Sequence, residues 1–313
     1  MAIPKRRARR SRLLYALLVA VSWVVRRLPI AVGRAFGAFL GHIAFHVARR
    51  DRRVAMENLA IAFPGWSVRQ RRATVRRMCH HLGKSMMEIA WMPRLDKDTL
   101  RRTTEIHGVE HIDAALAAGR GVLIFTGHCG NWEWLAATVA LLGYRLTVLQ
   151  RERDEPHLNR FITRLRARFG IVSIDRGSMS GAREMFRTLR QGGMLAFLID
   201  QNIRAESVNV PFFGKPALTP IGPARLAVRA QAPVMICFIE RQHGKQIVRF
   251  QPPMFITRES DPVEITARLT AAIEEQIRRV PEQWVWFHRR WRERSASQGR
   301  AALDPSGGTG SWR

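Results

Sequence analysis

One stretch, Val122–Trp134, constrains the fold more than any other part of this sequence. It opens with an apolar run, Val122–Thr126, that is bounded by glycines and is typical of a buried strand. Gly127 and Gly130 then allow a tight turn, because glycine tolerates backbone angles that other residues avoid. Asn131 is a good N-cap for the apolar helix that follows. The stretch therefore predicts a buried strand that passes through a tight turn into a helix.

Similar short apolar runs alternate with helical segments along the rest of the chain. Strands are predicted at Thr103–His107, Leu146–Gln150, Ile171–Ile174, Met194–Ile199, Val234–Glu240 and Gln246–Phe250. The longer helices are predicted at Arg49–Ala62, from the N-cap Ser67 to about Ala90, and from Asp261 to about Arg279. This alternation predicts an α/β fold in which a central mixed, largely parallel sheet is flanked by helices.

His128 and Glu133 are the residues of the central stretch that can carry chemistry. His128 lies in the predicted turn, and Glu133 lies in the first turn of the helix. From the turn, the imidazole ring could fold back onto the carboxylate, which the helix N-terminus keeps ionised. An ionised carboxylate would fix the tautomer of the ring and stabilise the imidazolium that forms on protonation. The pair predicts a general base and its orienting group, although a loop histidine near an N-terminal glutamate is also a common structural combination.

The charge of the chain restricts its partners. The 313 residues contain 52 Lys and Arg against 25 Asp and Glu, which gives a formal net charge of +27. Such a surplus favours a polyanion: a nucleic acid, an anionic bilayer, a phosphorylated lipid or an acidic carrier protein. Tryptophans and arginines interleave over Pro281–Arg292, a pattern that suits either a nucleic acid or a membrane interface.

The three cysteines form no disulfide framework and indicate a reducing compartment. Cys129, beside His128, is more typical of packing in an apolar turn than of a nucleophile. The run Cys79–His81 suggests a metal, but adjacent side chains on a helix diverge and no second ligand pair has suitable spacing. We expect no metal site, and the sequence has neither a GxGxxG motif nor a phosphate loop.

The N-terminal residues predict attachment to a membrane. Residues 5–12 form a basic arm, and the apolar run Leu13–Val25 follows with arginines on both sides. This run is short for a spanning helix, which needs about 20 apolar residues. A second apolar segment covers Leu28–Ala48. Two alternatives remain: a signal-anchor helix with its arm in the cytoplasm, and a pair of helices that lie in the interface with arginines on the headgroups.

Several motifs, in order along the chain, resemble one family. They are His128 and Glu133 with four residues between them, Val54–Pro64, the rigid, apolar-rimmed loop predicted at Asn209–Ala224, and Pro281–Arg292. Together they resemble the late (lauroyl or myristoyl) acyltransferases of lipid A biosynthesis, within a wider superfamily of glycerolipid and lysophospholipid acyltransferases that share a His-x4-Asp/Glu motif. The resemblance implies an acyltransferase α/β domain at 51–294. Residues 1–50 would be the basic arm and membrane-associating helices, and 295–313 a disordered tail.

The resemblance also implies substrate-binding residues. Arg151 lies where the family carries an arginine after a strand, although Glu152 replaces the proline of the family's pattern. Arg166 lies where the family carries a functionally important arginine, with Arg164 as a neighbouring alternative. Asp200 matches the family's aspartate at the end of a strand, and it is expected to be a structural or substrate-orienting residue of the site.

By this resemblance, the protein moves a fatty acyl chain from the thioester of an acyl carrier protein to a hydroxyl of a membrane glycolipid like a lipid A precursor. It is expected to need no cofactor, to bind no nucleic acid and to act at the cytoplasmic face of the inner membrane. A phosphatidylinositol mannoside or a lysophospholipid is the alternative acceptor.

Two alternatives come from other classes of protein. A hydrolase that uses Ser or Cys is disfavoured because the chain lacks a GxSxG elbow. A basic, membrane-attached nucleic-acid-binding protein would account for the charge, but it gives no reason for a His–Glu pair in a glycine turn.

Overall fold

The computed structural model describes residues 19–150, 156–175 and 179–292. Four helices come first: α1, described over residues 19–25, α2 (Ile30–Val47), α3 (Arg49–Ala62) and α4 (Val68–Trp91). Ser67 caps α4 as predicted, because its hydroxyl accepts from the N–H of Gln70 and its own N–H donates to the Gln70 side chain. This reciprocal pair satisfies backbone donors that the start of a helix leaves free.

Helix α2 packs against α4 through a stripe of glycines. Gly33, Gly37 and Gly41 are buried on one face of α2, and a Cβ at Gly37 would stand 2.3 Å from the carbonyl oxygen of Gly83 in α4. The two backbones therefore approach more closely than a side chain would permit. By length and composition α2 could cross a membrane. Its other face exposes apolar side chains, among them Val32, Phe36, Phe39, Ile43 and Val47.

Nine strands follow in the described chain: β1 (Thr104–His107), β2 (Val122–Thr126), β3 (Leu146–Gln150), β4 (Val172–Asp175), β5 (Met194–Leu198), β6 (Ser207–Phe212), β7 (Lys215–Pro220), β8 (Val234–Gln242) and β9 (Lys245–Phe250). Seven of them form one sheet in the order β1-β9-β8-β2-β5-β3-β4. β2 pairs parallel with β5 and β8, β3 pairs parallel with β4 and β5, and β1 pairs parallel with β9. Because β8 and β9 pair antiparallel, the predicted mixed, largely parallel sheet is confirmed.

Helices cover both faces of this sheet, and β2 separates two hydrophobic cores. Leu123 and Phe125 point into one core, whereas Val122 and Ile124 point into the other, as the alternation of a strand requires. The connecting helices are α5 (Lys97–Thr103), α6 (Val109–Leu116), α7 (Trp132–Leu141), α8 (Pro156–Arg168), α9 (Met179–Arg190), α10 (Gly222–Ala230) and α11 (Pro262–Arg279).

The segment Asn209–Ala224, predicted as a rigid loop, instead contains most of an antiparallel hairpin of β6 and β7. Val210 and Phe212 are buried, while Asn209 and Pro211 are exposed. This alternation is the pattern of a half-buried strand, and the prolines and glycines of the segment hide it in the sequence.

The tryptophans and arginines that interleave over Pro281–Arg292 do not form one exposed surface. Trp284, Trp286 and Arg290 are buried, and Trp284 and Trp286 pack edge to face with ring centroids 4.6 Å apart. Packing inside the domain therefore accounts for these three side chains, which are not available to a nucleic acid or to a membrane interface.

Candidate active site

Backbone contacts hold the turn after β2, residues 127–131, which we call the His128 turn. Gly130 has a φ of 58°, and a Cβ there would stand 2.3 Å from the carbonyl oxygen of Ile239 in β8. The N–H of Gly130 donates to the carbonyl oxygen of Gln283, and the N–H of Val285 donates to that of His128. Only glycine fits position 130. The two backbone hydrogen bonds fix the conformation of the turn against the closing segment.

The parallel pairing of β2 and β5 places His128 beside Asp200. Thr126 and Leu198 are register partners at the ends of these strands, and His128 and Asp200 each follow two residues later. Nδ1 of His128 lies 2.7 Å from Oδ1 of Asp200, and the backbone N–H of His128 donates to Oδ2 at 2.7 Å. The Nε1–H of Trp284 also donates to Oδ2, at 2.7 Å. The pair lies at the carboxyl edge of the sheet, where α/β proteins usually bind ligands.

The Asp200 carboxylate is buried and ionised. Burial alone would raise its pKa, but the charge that the His128 ring carries when protonated and the hydrogen bonds from His128 and Trp284 lower the pKa from 3.8 to about 2. An ionised Asp200 favours the tautomer of His128 that carries its proton on Nδ1, which leaves Nε2 as a proton acceptor. The His128 side chain is 23% exposed, and its ring packs against that of Trp132 with centroids 5.0 Å apart. These contacts therefore fix the orientation of a partly exposed imidazole ring.

Glu133 lies in the first turn of α7 as predicted, but its carboxylate is paired with Arg166. Oε2 accepts from Nε of Arg166 at 2.9 Å, and Oε1 accepts from a terminal nitrogen of Arg166 at 2.7 Å. The prediction that Glu133 orients the His128 ring is therefore wrong. On α7 the Glu133 side chain is directed to α8, whereas the neighbouring strand β5 brings Asp200 level with the ring.

Arg166 is the arginine of α8 whose side chain is buried. Its remaining terminal nitrogen donates to Oε1 of Gln150 at 2.7 Å, so protein groups occupy all three nitrogens of the guanidinium. This occupancy favours a structural role over the predicted substrate-binding role. Arg164, the neighbouring alternative, is exposed on the same helix. Arg151 lies outside the described residues, so its predicted contact with substrate stays a prediction.

Cys129 is unsuited to be a nucleophile. It is 2% exposed, and burial together with the charges of Asp200 and Glu240 raises the pKa of its thiol well above the ordinary value. The thiolate that would attack a thioester is therefore disfavoured. Among the described residues, no group of three or more His, Cys, Asp or Glu side chains could hold a metal ion.

Two polar contacts near the site are absent from the sequence-based expectations. One is the bond from Trp284 to Asp200, and the other comes from Asn58 in α3. Asn58 donates to the carbonyl oxygens of Trp286 and His288, both at 2.7 Å, and so fastens the closing segment. Asn58 and Trp284 lie in motifs that carry the family resemblance, which was the available signal. Nothing in the local spacing of either residue indicates its distant partner.

Comparison with known proteins identifies the family of the chain. The family model described as bacterial lipid A biosynthesis acyltransferase matches residues 3–293. The chain is 29% identical over 285 residues to the lipid A biosynthesis lauroyltransferase of Escherichia coli (strain K12), which covers 88% of this chain and 90% of that protein. It is 29% identical over 239 residues to the phosphatidylinositol mannoside acyltransferase of Mycobacterium tuberculosis (strain ATCC 25618 / H37Rv), with coverage of 72% and 73%.

A third relative is the lipid A biosynthesis myristoyltransferase of Escherichia coli (strain K12), 24% identical over 253 residues, with 80% of this chain and 78% of that protein covered. An α/β sheet with a polar site at its carboxyl edge is the arrangement of many α/β enzymes. The chain belongs to the bacterial lipid A biosynthesis acyltransferase family, and it is an acyltransferase.

Proposed function

We propose that the protein transfers a fatty acyl chain from the thioester of an acyl carrier protein to a hydroxyl of a membrane glycolipid that resembles a lipid A precursor. The observation that carries the proposal is the 2.7 Å contact between Nδ1 of His128 and Oδ1 of Asp200. It leaves Nε2 of a partly exposed, oriented imidazole available to a substrate hydroxyl. The lauroyltransferase and myristoyltransferase relatives, both named for lipid A biosynthesis, support a fatty acyl group as what is transferred and a glycolipid as the acceptor class.

In the proposed reaction, Nε2 of His128 accepts the proton of the acceptor hydroxyl, and the oxygen attacks the carbonyl carbon of the thioester. Asp200 stabilises the imidazolium and holds its tautomer. When the tetrahedral intermediate collapses, the C–S bond breaks and the imidazolium returns the proton to the sulfur. An ester and a free thiol result, without an acyl-enzyme. Base catalysis of this kind contributes about 10²- to 10⁴-fold, so positioning and charge stabilisation supply the rest.

The oxyanion of the tetrahedral intermediate needs hydrogen-bond donors. Two of the backbone N–H groups in the His128 turn are not available, because they already donate to protein groups. The N–H of His128 donates to Asp200, and that of Gly130 donates to Gln283. The N-terminus of α7, which starts at Trp132, supplies a positive helix end just after the turn. We assign the oxyanion to this end of α7, and the Glu133–Arg166 pair to fixing α7 against α8.

The protein attaches to the cytoplasmic face of the inner membrane, where its acceptor lies. The apolar face of α2, with Phe36 and Phe39, is exposed, and arginines flank it at Arg26, Arg27 and Arg49. Apolar side chains next to basic ones suit a helix on an anionic bilayer. The buried glycine face of α2 favours a helix that lies on the surface with α4 beneath it. In this proposal, residues 1–50 attach the α/β domain (51–294), and basic residues attract the acidic carrier protein.

The test is a transfer assay with the purified full chain in lipid vesicles. Lauroyl acyl carrier protein and lauroyl coenzyme A serve as donors, and a lipid A precursor, a phosphatidylinositol mannoside and a lysophospholipid serve as acceptors. We expect transfer from the carrier protein to the lipid A precursor, and none in a folded His128→Asn variant. Full activity of that variant would end the proposal. If the enzyme prefers the phosphatidylinositol mannoside, this lipid replaces the lipid A precursor as the proposed acceptor. The name of the mycobacterial relative makes it the first alternative to test.

The matching experiment in cells is lipid mass spectrometry of a strain that lacks the gene. A glycolipid that has lost the mass of one acyl chain identifies the acceptor. Intact-mass measurement of the enzyme with donor alone distinguishes direct transfer, which leaves the mass unchanged, from a Ser or Cys hydrolase, which would retain the acyl group.

A further inference from the structure

Glu88 is a buried carboxylate that the proposed reaction does not use. It lies in the last turn of α4, and 0% of its side chain is exposed. Oε1 accepts from Nε of Arg34 at 2.7 Å and from Nε of Arg241 at 2.9 Å. Oε2 accepts from a terminal nitrogen of Arg241 at 2.6 Å and from Nδ2 of Asn131 at 2.9 Å. Donors from α2, from β8 and from the His128 turn therefore meet on one carboxylate.

Glu88 retains its charge in this position. Burial alone would raise its pKa, but the charges of Arg241 and Arg34 and the hydrogen bonds from Arg241 and Asn131 lower the pKa below the ordinary value. Arg241 also contacts Oγ of Ser85 at 3.0 Å and Nδ1 of His81 at 2.9 Å. A buried charge network keeps a fixed geometry only while its members keep their partners. The loss of Glu88 would therefore release every element that it joins.

One route from Glu88 reaches the His128 turn directly. Asn131 caps α7, because its Oδ1 accepts from the N–H of Trp134 at 3.1 Å, while its Nδ2 donates to Glu88. A carboxylate can only accept, so Glu88 sets which end of the amide faces α7. The start of α7 and the end of the His128 turn are thus tied to α4.

A second route passes through Arg241. Its backbone N–H donates to Oε1 of Gln283 at 2.8 Å, and Nε2 of Gln283 donates back to the carbonyl oxygen of Arg241 at 3.0 Å. The carbonyl oxygen of Gln283 accepts the N–H of Gly130. Glu88 therefore supports the turn from α4 and, through Arg241, from the segment that closes over it.

Arg34 extends the network to the helix that faces the bilayer in the proposed function. Its side chain is 11% exposed, and it also donates to the carbonyl oxygen of Gly244 between β8 and β9. Phe36 and Phe39 stand on the exposed side of the same helix. The ion pair between Arg34 and Glu88 therefore links α2, which carries the apolar face, to the carboxylate that supports the His128 turn.

We infer that Glu88 is a positioning residue that couples helix α2, seated on the bilayer, to the His128 turn. This inference rests on the proposed function, because it assumes that His128 is the base and that α2 contacts lipid. Glu88 itself touches no reacting atom. Without its support the imidazole keeps its chemistry but loses its alignment with the hydroxyl and the thioester. Misalignment lowers kcat and leaves KM for the donor nearly unchanged, since Glu88 and Asn131 are buried and do not reach the surface on which the donor binds.

The test measures kcat and KM for lauroyl acyl carrier protein in anionic vesicles for three variants. Glu88→Gln removes the charge at constant shape. Asn131→Ser keeps a capping oxygen for α7 but is too short to reach Glu88. Arg34→Met cuts the link between α2 and Glu88, together with the contact of Arg34 to Gly244, and leaves the other partners of Glu88 in place. We expect each to lower kcat by about 10- to 100-fold with KM within about twofold, because small displacements of a catalytic group have effects of this size. Vesicle binding should change little, since Glu88 and Asn131 are buried and only 11% of the Arg34 side chain is exposed.

Glu240→Gln is the matched control. Glu240 is also a buried carboxylate, but its hydrogen bonds go to Gln242, Arg249, Gln276 and Arg279 and not to the His128 turn. We expect this variant to lose stability while its kcat stays within about twofold of wild type. If Glu88→Gln and Asn131→Ser change kcat no more than Glu240→Gln does, the inference is overturned.

The His128→Asn variant separates this inference from the proposed function. Activity in that variant would refute the base, whatever Glu88 does. If His128→Asn is inactive while the Glu88, Asn131 and Arg34 variants keep wild-type kcat, the base stands and the positioning role falls. Should Glu88→Gln fail to fold, Asn131→Ser and Arg34→Met decide the question on their own.

Discussion

Glu133 and Arg166, 33 residues apart in sequence, form a buried two-point ion pair, with N–O distances of 2.9 and 2.7 Å. The carboxylate that follows His128 at the characteristic spacing thus contacts an arginine on α8. The carboxylate that contacts His128 is Asp200, 72 residues away. The motif contributes His128 and a helix anchor to the site, and a different strand contributes the carboxylate that holds the His128 ring.

Asp200→Asn is expected to lower kcat by about 10²- to 10⁴-fold, the contribution of general base catalysis. Three donors converge on the Asp200 carboxylate, from the His128 backbone, the His128 ring and Trp284. The Asn side chain that replaces it would place its NH₂ group opposite one of these three donors, so that two donors would face each other. As a neutral group, it would also not stabilise an imidazolium. The measurement is kcat for acyl transfer with saturating donor. Trp284→Phe, which removes one donor and keeps the charge, is expected to lose far less.

A kcat for Asp200→Asn within threefold of wild type would contradict the assignment. Circular dichroism of both variants checks that the fold is retained, since Asp200 and Trp284 are both buried.

Asp200 is also expected to make the stability of the protein depend on acid pH. Its pKa is lowered from 3.8 to about 2 in the folded protein, so its ionisation stabilises the fold above pH 3.8. This contribution, on the order of 2 kcal/mol, is lost as the pH falls through the folded pKa. Urea unfolding between pH 5 and pH 2 should therefore show a steeper loss for wild type than for Asp200→Asn. Parallel curves for the two proteins would show that this carboxylate is not held ionised.

Glu133→Gln and Arg166→Met are each expected to destabilise the fold by about 3 kcal/mol, because each leaves a buried charge without its partner. The double variant leaves neither charge and should be more stable than the sum of the two single losses predicts. The measurement is a double-mutant cycle by urea unfolding. Strict additivity of the two losses would contradict a direct pair.

Local signals made the strand, the turn and the helix of Val122–Trp134 predictable. The glycines, the N-cap Asn131 and the apolar run act within a few residues of one another, and β2 and α7 begin where the sequence indicates. The partner of His128 was not predictable from spacing, because it depends on which strand lies next to β2. That neighbour is β5, and the sheet order that places it there is set by contacts across the whole domain.

The same reason explains Glu88. In the sequence, a glutamate within a helix is typical of a solvent-exposed position. Its burial follows only from the packing of α2, β8 and the His128 turn around it. The hairpin of β6 and β7 was missed for a different reason: its prolines and glycines are typical of a loop, and burial of Val210 and Phe212 overrides that preference.

Phe39→Asp is expected to weaken binding to anionic vesicles by about 10-fold or more, because it removes an apolar side chain that burial in lipid would stabilise by about 1.5 to 3 kcal/mol. Phe39 is 58% exposed on α2. The matched control is Phe255→Asp, since Phe255 is 62% exposed but lies outside α2. Sedimentation with vesicles measures the binding, which should also weaken as salt screens the flanking arginines. Equal effects of the two substitutions would contradict docking through α2.

Gly37→Ala tests how α2 is held on the domain. A Cβ at this position would stand 2.3 Å from the carbonyl oxygen of Gly83, so α2 and α4 must move apart. We expect a loss of about 1 to 3 kcal/mol of unfolding free energy, the usual effect of overpacking. Gly65→Ala is the control, because a Cβ there meets no atom within 4 Å, and it should change stability by less than about 0.5 kcal/mol. Because Arg34 lies on the same helix, Gly37→Ala should also lower kcat. A destabilised variant with wild-type kcat would show that the seating of α2 does not reach the His128 turn.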